Sequence, residues 1–271
     1  MAFLQFQNKK IFYRTEGNGA PVILVHGFGE DGNVWHKQID SLKEKNLLVI
    51  PDLPGSGASE MLDGNVLIKE YADVLKALAD EVLFKNKIID QGQFSMIGHS
   101  MGGYITLAFA EKYPELLNSF GLFHSSAFAD SDKKIATRKK GIDFITKNGA
   151  EAFIKTIVPN LFCDESKKED PKMVAKLIDI AKPISPEALI QYYHAMIARP
   201  DRTSVLKTFE KPILLIAGKH DPVIPLEASL DQFKMPSISS VHILQNSGHM
   251  GMWEEPEDSN TTLLNFLKNL N

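Results

Sequence analysis

Short apolar segments alternate with amphipathic helical patterns along most of the chain, and this alternation constrains the fold more than any other feature. In the first half, helical patterns separate the apolar runs PVILVHG, NLLVIPDLPG and QFSMIG. Continuous runs of this kind are typical of strands buried on both faces of a parallel sheet. Near the C-terminus, KPILLIAG and SVHILQ continue the pattern. The sequence therefore predicts an α/β fold with a doubly wound, mostly parallel sheet, preceded by two antiparallel strands at FLQFQ and KIFYRTE.

The segment between these two parts has a different character, since it contains several helical patterns and no convincing strand. It runs from about residue 127 to 206 and is interrupted by five prolines. A helical insertion at the edge where α/β sheets bind ligands predicts a cap over the site, although it could also simply extend the core. The length of 271 residues suits one α/β domain with an inserted subdomain. We expect the core at 1–126 and 207–271 and the cap at 127–206.

Composition excludes several other classes of protein. The 30 Lys and Arg against 34 Asp and Glu leave a formal net charge of −4, without the basic excess of a nucleic-acid-binding protein. A local basic run, from Lys133 to Lys140, is expected to lie on the solvated side of a helix. The single cysteine, Cys163, excludes an internal disulfide framework and a cysteine-based zinc site. No apolar run approaches the ~18 residues of a membrane span, and no signal peptide is evident, so we expect a cytoplasmic protein.

One serine lies between two glycines at a predicted junction of strand and helix, in the segment MIGHSMGGYITLAFAEKYPE. Gly98, Ser100 and Gly102 have the spacing G-x-S-x-G, which occurs once in the chain. Small residues beside the serine permit a strained turn that exposes the hydroxyl at the start of the helix. An ordinary tight turn is the alternative, but the context predicts that Ser100 is a nucleophile.

A serine hydroxyl needs a base, and the base needs an orienting acid, in the order serine, acid, histidine for this arrangement of strands. Asp221 follows the predicted strand PILLIAG, and His249 lies in a glycine-flanked loop after the next strand, VHILQ. All three residues leave different strands at the same edge of the predicted sheet. The sequence thus predicts a catalytic triad of Ser100, Asp221 and His249.

Acyl transfer also requires donors for the negative charge that develops on the carbonyl oxygen, and backbone N–H groups serve well. We expect these donors to be the N–H of Met101, directly after the nucleophile, and the N–H of Phe28 in the loop HGFGEDGNVW. His26 is expected to brace that loop, and His99 to point away from the pocket.

The pocket itself is less readable, because bulky side chains near these groups suit a binding wall and a core equally well. Their lack of formal charge favours an apolar acyl or alkyl group in the substrate. The candidate wall residues are His124, Tyr192, Met196, Val223, Met250 and Trp253.

Together these segments resemble the α/β-hydrolase superfamily. VHGFGEDGNVW, IPDLPGSGASE, the serine segment, RPDRTSVLKTFEKPILLIAGKHDPVIP and LQNSGHMGMWEEPE are similar to its recurring segments, in the same order. The resemblance extends from about Phe3 to Leu270, with the cap unmatched in detail. It implies the α/β-hydrolase fold with an inserted helical cap, and it implies neither a metal nor an organic cofactor.

The resemblance also reduces the number of activities that the chain is expected to have. A serine nucleophile differs from the aspartate of haloalkane dehalogenases and epoxide hydrolases and from the cysteine of dienelactone hydrolases. HGFG lacks the HGGG of hormone-sensitive-lipase-like esterases and the HGGPG of proline iminopeptidases. What remains resembles small carboxylesterases, enol-lactonases, carbon–carbon bond hydrolases and perhydrolases, together with signalling proteins that keep the triad.

We expect hydrolysis of a small ester or lactone; the alternatives are carbon–carbon cleavage or perhydrolysis, and a partner-binding sensor with slow residual hydrolysis. A small molecule is the expected partner, with neither nucleic acid nor membrane, and the oligomeric state stays open.

Overall fold

The computed structural model describes residues 2–86, 88 and 93–268, and eight strands of this part form one sheet. The terminal residues 1 and 269–271 of the predicted core lie outside the described residues. In chain order the strands are β1 (Ala2–Phe6), β2 (Lys9–Glu16), β3 (Ala20–Val25), β4 (Asn46–Pro51), β5 (Phe94–His99), β6 (Leu117–Phe123), β7 (Ile213–Gly218) and β8 (Ser239–Leu244).

Across the sheet the strand order is β1-β2-β4-β3-β5-β6-β7-β8. The pairs β1–β2 and β2–β4 are antiparallel, and every following pair is parallel. This order confirms the predicted mostly parallel α/β sheet with two antiparallel strands at its start.

Eleven α-helices flank the sheet or follow β6 in the described part of the chain. They are α1 (His36–Leu42), α2 (Ile68–Ala79), α3 (Met101–Lys112), α4 (Asp132–Ile157), α5 (Asp164–Glu169), α6 (Lys172–Ala181), α7 (Pro186–Ile197), α8 (Thr203–Thr208), α9 (Leu226–Phe233), α10 (Gly251–Glu254) and α11 (Pro256–Lys268). Helices α5, α8 and α10 have only four to six residues, which are too few to establish a helical period in a sequence. None of the described helices pairs a span of bilayer length with the apolar composition of a transmembrane segment.

The central strands are buried on both faces, which explains their continuous apolar sequences. In β3, Ile23 and Val25 join a core cluster with side chains of α2 and α3, whereas Val22 and Leu24 join a second cluster with α1 and α11. Successive side chains of a strand point to opposite faces, so each face of the sheet has its own core. The sheet is therefore doubly wound, as predicted.

The chain between β6 and β7 contains helices α4 to α8 and no strand among its residues, all of which are described. Helix α4 packs against α7. Helix α4 has a break at Gly149, whose φ of 83° departs from helical geometry. Helix α8 extends to Thr208, just past the predicted boundary, and contacts α3 of the core. The division into a core and a cap stays a prediction.

Candidate active site

Ser100 occupies the turn between β5 and α3 with an unusual backbone conformation, φ 50° and ψ −115°. Its N–H donates to the Phe123 carbonyl over 2.9 Å, and the Ser125 hydroxyl donates to its carbonyl over 2.7 Å, so β6 and the loop after it hold the turn in place. A Cβ on Gly98 would collide with the Gly102 backbone. The glycines therefore permit a strained turn that leaves the Ser100 side chain partly exposed.

The structure brings Ser100, Asp221 and His249 together from the ends of β5, β7 and β8. With its proton on Nδ1, the His249 ring donates to Asp221 Oδ2 over 2.8 Å, and its Nε2 accepts from Ser100 Oγ over 2.8 Å. Asp221 Oδ1 accepts the N–H groups of Val223 and Ile224 at 2.8 and 2.9 Å, which fixes the carboxylate. This is the geometry in which a histidine can take a proton from a serine that attacks an acyl carbon.

Asp221 is buried and yet ionised. Burial acts to raise the pKa of its carboxyl, but the rings of His249 and His124 outweigh this effect and hold the pKa well below its usual range. The carboxylate can therefore orient the His249 ring and stabilise the imidazolium that forms during proton transfer. The catalytic roles of the three residues stay predictions.

His124 lies behind Asp221, which corrects its predicted place in the pocket wall. Its Nδ1 is 3.1 Å from Asp221 Oδ2 and 3.0 Å from the Gly218 nitrogen. Burial lowers the pKa of the His124 ring to about 4, even though Asp221 acts in the opposite direction. The ring is therefore neutral at neutral pH and touches the acid, not the cavity. The sequence signal was its position directly after β6, but strand ends alone do not say which way a side chain turns.

A buried ion pair beneath the nucleophile was missed in the sequence. His99 Nδ1 donates to Glu30 Oε2 over 3.0 Å, and His99 Nε2 donates to the His249 carbonyl over 3.0 Å. Glu30 Oε2 also accepts the Gly27 N–H over 2.7 Å. Burial acts to lower the pKa of His99, but Glu30 raises it, and His99 lowers the pKa of Glu30 against the effect of burial. As predicted, His99 does not line the cavity, but it connects the loops that carry Gly27 and His249.

The expected oxyanion donors have free N–H groups. Neither Phe28 nor Met101 donates its backbone N–H to another described residue, and the Phe28 side chain lines the cavity beside Ser100. The His26 ring braces the loop, because its Nε2 accepts the Leu53 N–H over 2.8 Å. The oxyanion roles of Phe28 and Met101 stay predictions.

A cavity of about 510 Å³ opens beside Ser100 and His249. Met196 and Val223, two of the candidate wall residues, line it, and their role in binding a substrate stays a prediction. Side chains that the sequence did not place there complete its wall; they are Glu30, Tyr104, Ser131, Lys133, Lys134, Thr137, Arg138, Ile157, Asn160, Leu161, Tyr193, Pro222 and Pro225.

Three other predicted wall residues lie elsewhere. Trp253 is buried against the core and donates its indole N–H to the Val34 carbonyl over 2.6 Å. The Tyr192 hydroxyl donates to the Pro54 carbonyl over 2.7 Å, away from the cavity. Met250 is wholly buried in the core beside α10. Large apolar side chains in loops suit core and pocket equally well, which is why the sequence could not separate them.

One group of side chains among the described residues is close enough to share a metal ion, namely His124, Asp221 and His249, whose ligand atoms lie within 4.8 Å of one another. Both imidazole Nδ1 atoms face Oδ2 of the same carboxylate.

Comparison with known proteins places this geometry in context. The model described as the alpha/beta hydrolase family matches residues 22–260. A structure of a thermophilic esterase from Thermogutta terrifontis, with malate bound, superposes with a TM-score of 0.91 at 25% identity and covers 99% of this chain and 98% of its own.

Two curated relatives have different substrates. A pimeloyl-(acyl-carrier protein) methyl ester esterase of Vibrio vulnificus is 24% identical over 261 residues, which cover 94% of this chain and 97% of the relative. A 2-hydroxy-6-oxononadienedioate/2-hydroxy-6-oxononatrienedioate hydrolase of Escherichia coli is 25% identical over 273 residues, which cover 95% and 91%.

Proposed function

The chain belongs to the alpha/beta hydrolase family, and from this premise we propose that it is a serine hydrolase of small carboxylic esters or lactones. The observation that carries the proposal is the continuous path from Asp221 through His249 to Ser100, with 2.8 Å at both hydrogen bonds. The strained backbone of Ser100, which presents its hydroxyl to the cavity, supports the same role.

In the first half of the reaction, Ser100 Oγ attacks the carbonyl carbon of the ester while His249 Nε2 takes the hydroxyl proton. The carbonyl oxygen becomes an oxyanion, which the N–H groups of Phe28 and Met101 stabilise. The intermediate then collapses, and His249 returns the proton to the departing alkoxide. The products of this step are an acyl-enzyme and an alcohol, which stays attached to the acyl group when the substrate is a lactone.

In the second half, a water molecule takes the place of the alcohol. His249 removes its proton as it attacks the acyl carbon, and the same N–H groups stabilise the second oxyanion. Collapse releases the carboxylic acid and returns the proton to Ser100. Asp221 stays ionised throughout and holds the His249 ring in the correct tautomer.

A second candidate is cleavage of a carbon–carbon bond in a dienoic or β-diketone substrate by the same three side chains. The relative from Escherichia coli supports it, since its name describes the hydrolysis of such a dienedioate. Perhydrolysis would use the same acyl-enzyme with peroxide in place of water.

The test is a series of p-nitrophenyl esters from acetyl to octanoyl, followed over many turnovers with the native chain and with Ser100→Ala. We expect steady turnover by the native chain and a loss of at least about 10³-fold in kcat for the variant. Ser240→Ala, which removes an exposed hydroxyl on β8, is the matched control and should behave as the native chain. Equal activity in Ser100→Ala would overturn the triad.

The same experiment separates the alternatives. A burst of one product per site followed by a stall would favour the sensor hypothesis. Absence of ester turnover together with cleavage of a dienoic diketone would favour the carbon–carbon hydrolase.

A further inference from the structure

The wall of the cavity that α4 provides is positively charged. Lys133, Lys134 and Arg138 line the cavity, although the sequence placed this basic run on a solvated helix face. The one carboxyl group among the lining residues described is that of Glu30. Its charge is balanced by His99 in the buried pair, so the wall retains its positive charge.

One acid behind this wall, Asp130, is shared between two arginines. Asp130 lies 2.6 Å from Arg138 Nε and 2.8 Å from an Arg199 terminal nitrogen. Lys134 donates to the Val223 carbonyl over 3.1 Å and forms no ion pair with a described carboxylate. Arg138 and Arg199 thus share one carboxylate, and neither Lys133 nor Lys134 forms an ion pair with a carboxylate among the described residues, so this wall of the cavity carries positive charge.

Tyr104 reports the effect of this charge on a group inside the cavity. Its buried ring lines the cavity, and the Arg199 guanidinium lies 3.9 Å from the ring centroid. Burial acts to raise the pKa of the phenol, but Arg199, Lys134 and Arg138 outweigh burial and lower it. Positive charges that lower the pKa of this phenol also attract the anionic group of a ligand.

Between the charged wall and the nucleophile, the cavity is largely apolar. Phe28, Ile157, Met196 and Val223 line this part. Apolar surface suits a short hydrocarbon chain, while cations with few carboxylate partners suit an acid at the end of that chain.

We propose that Lys133, Lys134 and Arg138 form a carboxylate subsite, and that the natural substrate is an ester or lactone with a second, anionic carboxylate group remote from the scissile bond. This inference rests on the proposed function and names the substrate class for the same site. Lys134 contributes most, because it is half-buried and its ammonium group has no carboxylate to neutralise it.

The test uses pairs of esters that match in shape and differ in charge. For an acid on the acyl side, monomethyl glutarate is paired with methyl 5-methylhexanoate; for an acid on the alcohol side, 4-acetoxybutanoate is paired with 4-methylpentyl acetate. Release of acid is followed in a pH-stat, and the ratio of kcat/KM for the charged ester over the neutral ester is calculated for each pair. We expect the ratio to exceed one in at least one pair and to fall as salt rises from about 0.05 to 0.5 M.

In Lys134→Met, the ratio of kcat/KM for the charged ester over the neutral ester should fall at least about tenfold in the pair where the native ratio is higher, because a charge-assisted contact is lost. Lys139→Met is the matched control, since Lys139 is exposed on the same helix and does not line the cavity, and its ratio should equal that of the native chain. Preference for the neutral ester in both pairs, or an unchanged ratio in Lys134→Met, would overturn the subsite.

Binding to Ser100→Ala keeps this test independent of turnover. Calorimetry should detect tighter binding of the charged ester of the preferred pair, and the addition of Lys134→Met should weaken it about tenfold. Equal binding of charged and neutral esters overturns the subsite whether or not the native chain hydrolyses them. Turnover of neutral esters without charge preference would overturn the subsite alone and leave the proposed serine hydrolase intact.

Discussion

His99 and Glu30 form an ion pair that is almost completely buried beneath Ser100, with 3.0 Å between Nδ1 and Oε2 and side-chain exposures of 0% and 3%. The pair connects the loop after β3, through the Gly27 N–H, to the loop after β8, through the His249 carbonyl. A carboxylate and an imidazolium with these partners hold the expected oxyanion loop and the expected base in a fixed relation.

Glu30→Gln should lower the free energy of unfolding by about 3–5 kcal/mol, because it leaves the buried His99 charge without its partner. Glu81→Gln is the matched control; it breaks an exposed pair with Lys85 and should cost no more than about 1 kcal/mol. Urea unfolding measures both variants. Equal decreases in the free energy of unfolding for the two variants would mean that the buried pair stabilises the fold no more than the exposed pair does.

The contribution of this pair should also depend on pH in a defined direction. Glu30 has a lowered pKa, so its stabilisation is complete above its ordinary value of 4.5 and is lost as pH falls. His99 has a raised pKa, so its stabilisation is complete below its ordinary value of 6.5 and is lost as pH rises through the folded value. The stability difference between the native chain and Glu30→Gln should thus be largest between pH 4.5 and 6.5. Unfolding measured up to pH 9 should show the difference shrinking on the alkaline side, and a difference that grew there would contradict the pairing.

His124 should make the free energy of unfolding depend on pH in the direction opposite to His99. Burial lowers the pKa of this ring from 6.5 to about 4, so between these values the unfolded chain binds a proton that the folded chain does not. Stability should therefore fall as pH drops through this range. In His124→Asn, which keeps a polar side chain beside Asp221, the fall should be smaller.

The experiment compares urea midpoints of the native chain and His124→Asn at several values between pH 4.5 and 6.5. Above pH 4.5 the Asp221 carboxyl is ionised in the folded chain and mostly ionised in the unfolded chain, where its pKa has the ordinary value of 3.8, so its titration contributes little. Parallel curves for the two proteins would show that His124 is not the neutral buried group inferred from its surroundings.

A residue of this site could be predicted only where a pattern in the sequence indicates its position in the fold. Ser100, Asp221 and His249 were found because apolar runs mark strand ends, and parallel strands bring their carboxyl ends to one edge. The pair of Glu30 and His99 was not found, since it depends on the path of a loop and on side-chain directions.

The pocket wall also contains residues whose positions the sequence alone does not predict. Trp253 is apolar and lies near His249 in sequence, yet it packs into the core. Lys134 belongs to a charged run typical of a solvated helix, yet it lines the cavity because of how α4 crosses the site. Residue type predicts burial, but only the packing of one element against another decides which cavity a side chain meets.

Gly98→Ala should disrupt the turn that presents Ser100. The added Cβ would collide with backbone atoms of Gly102 and Gly103, which cannot move aside without moving the nucleophile. We expect a loss of more than about 3 kcal/mol in the free energy of unfolding. In protein that still folds, displacement of Ser100 should lower kcat by about 10²-fold.

Gly64→Ala serves as its control. Gly64 has a φ of 78° and open space around its Cβ position, so alanine there meets only backbone strain of about 1–2 kcal/mol. Urea unfolding and p-nitrophenyl acetate hydrolysis are measured on both variants. A Gly98→Ala protein as stable and active as Gly64→Ala would mean that the turn is not constrained as its geometry indicates.

Val223→Phe should narrow the cavity without disturbing the acid. The Val223 side chain lines the cavity, whereas its contact with Asp221 is made by the backbone N–H and is kept in any substitution other than proline. With the larger ring in place, kcat/KM for the octanoyl p-nitrophenyl ester should fall at least about tenfold relative to the acetyl ester. Val241→Phe adds the same bulk at a position that is 45% exposed on β8, and it should leave the chain-length profile unchanged. An unchanged ratio of octanoyl to acetyl ester activity in a Val223→Phe protein that is still active would show that the cavity is not the acyl-binding site.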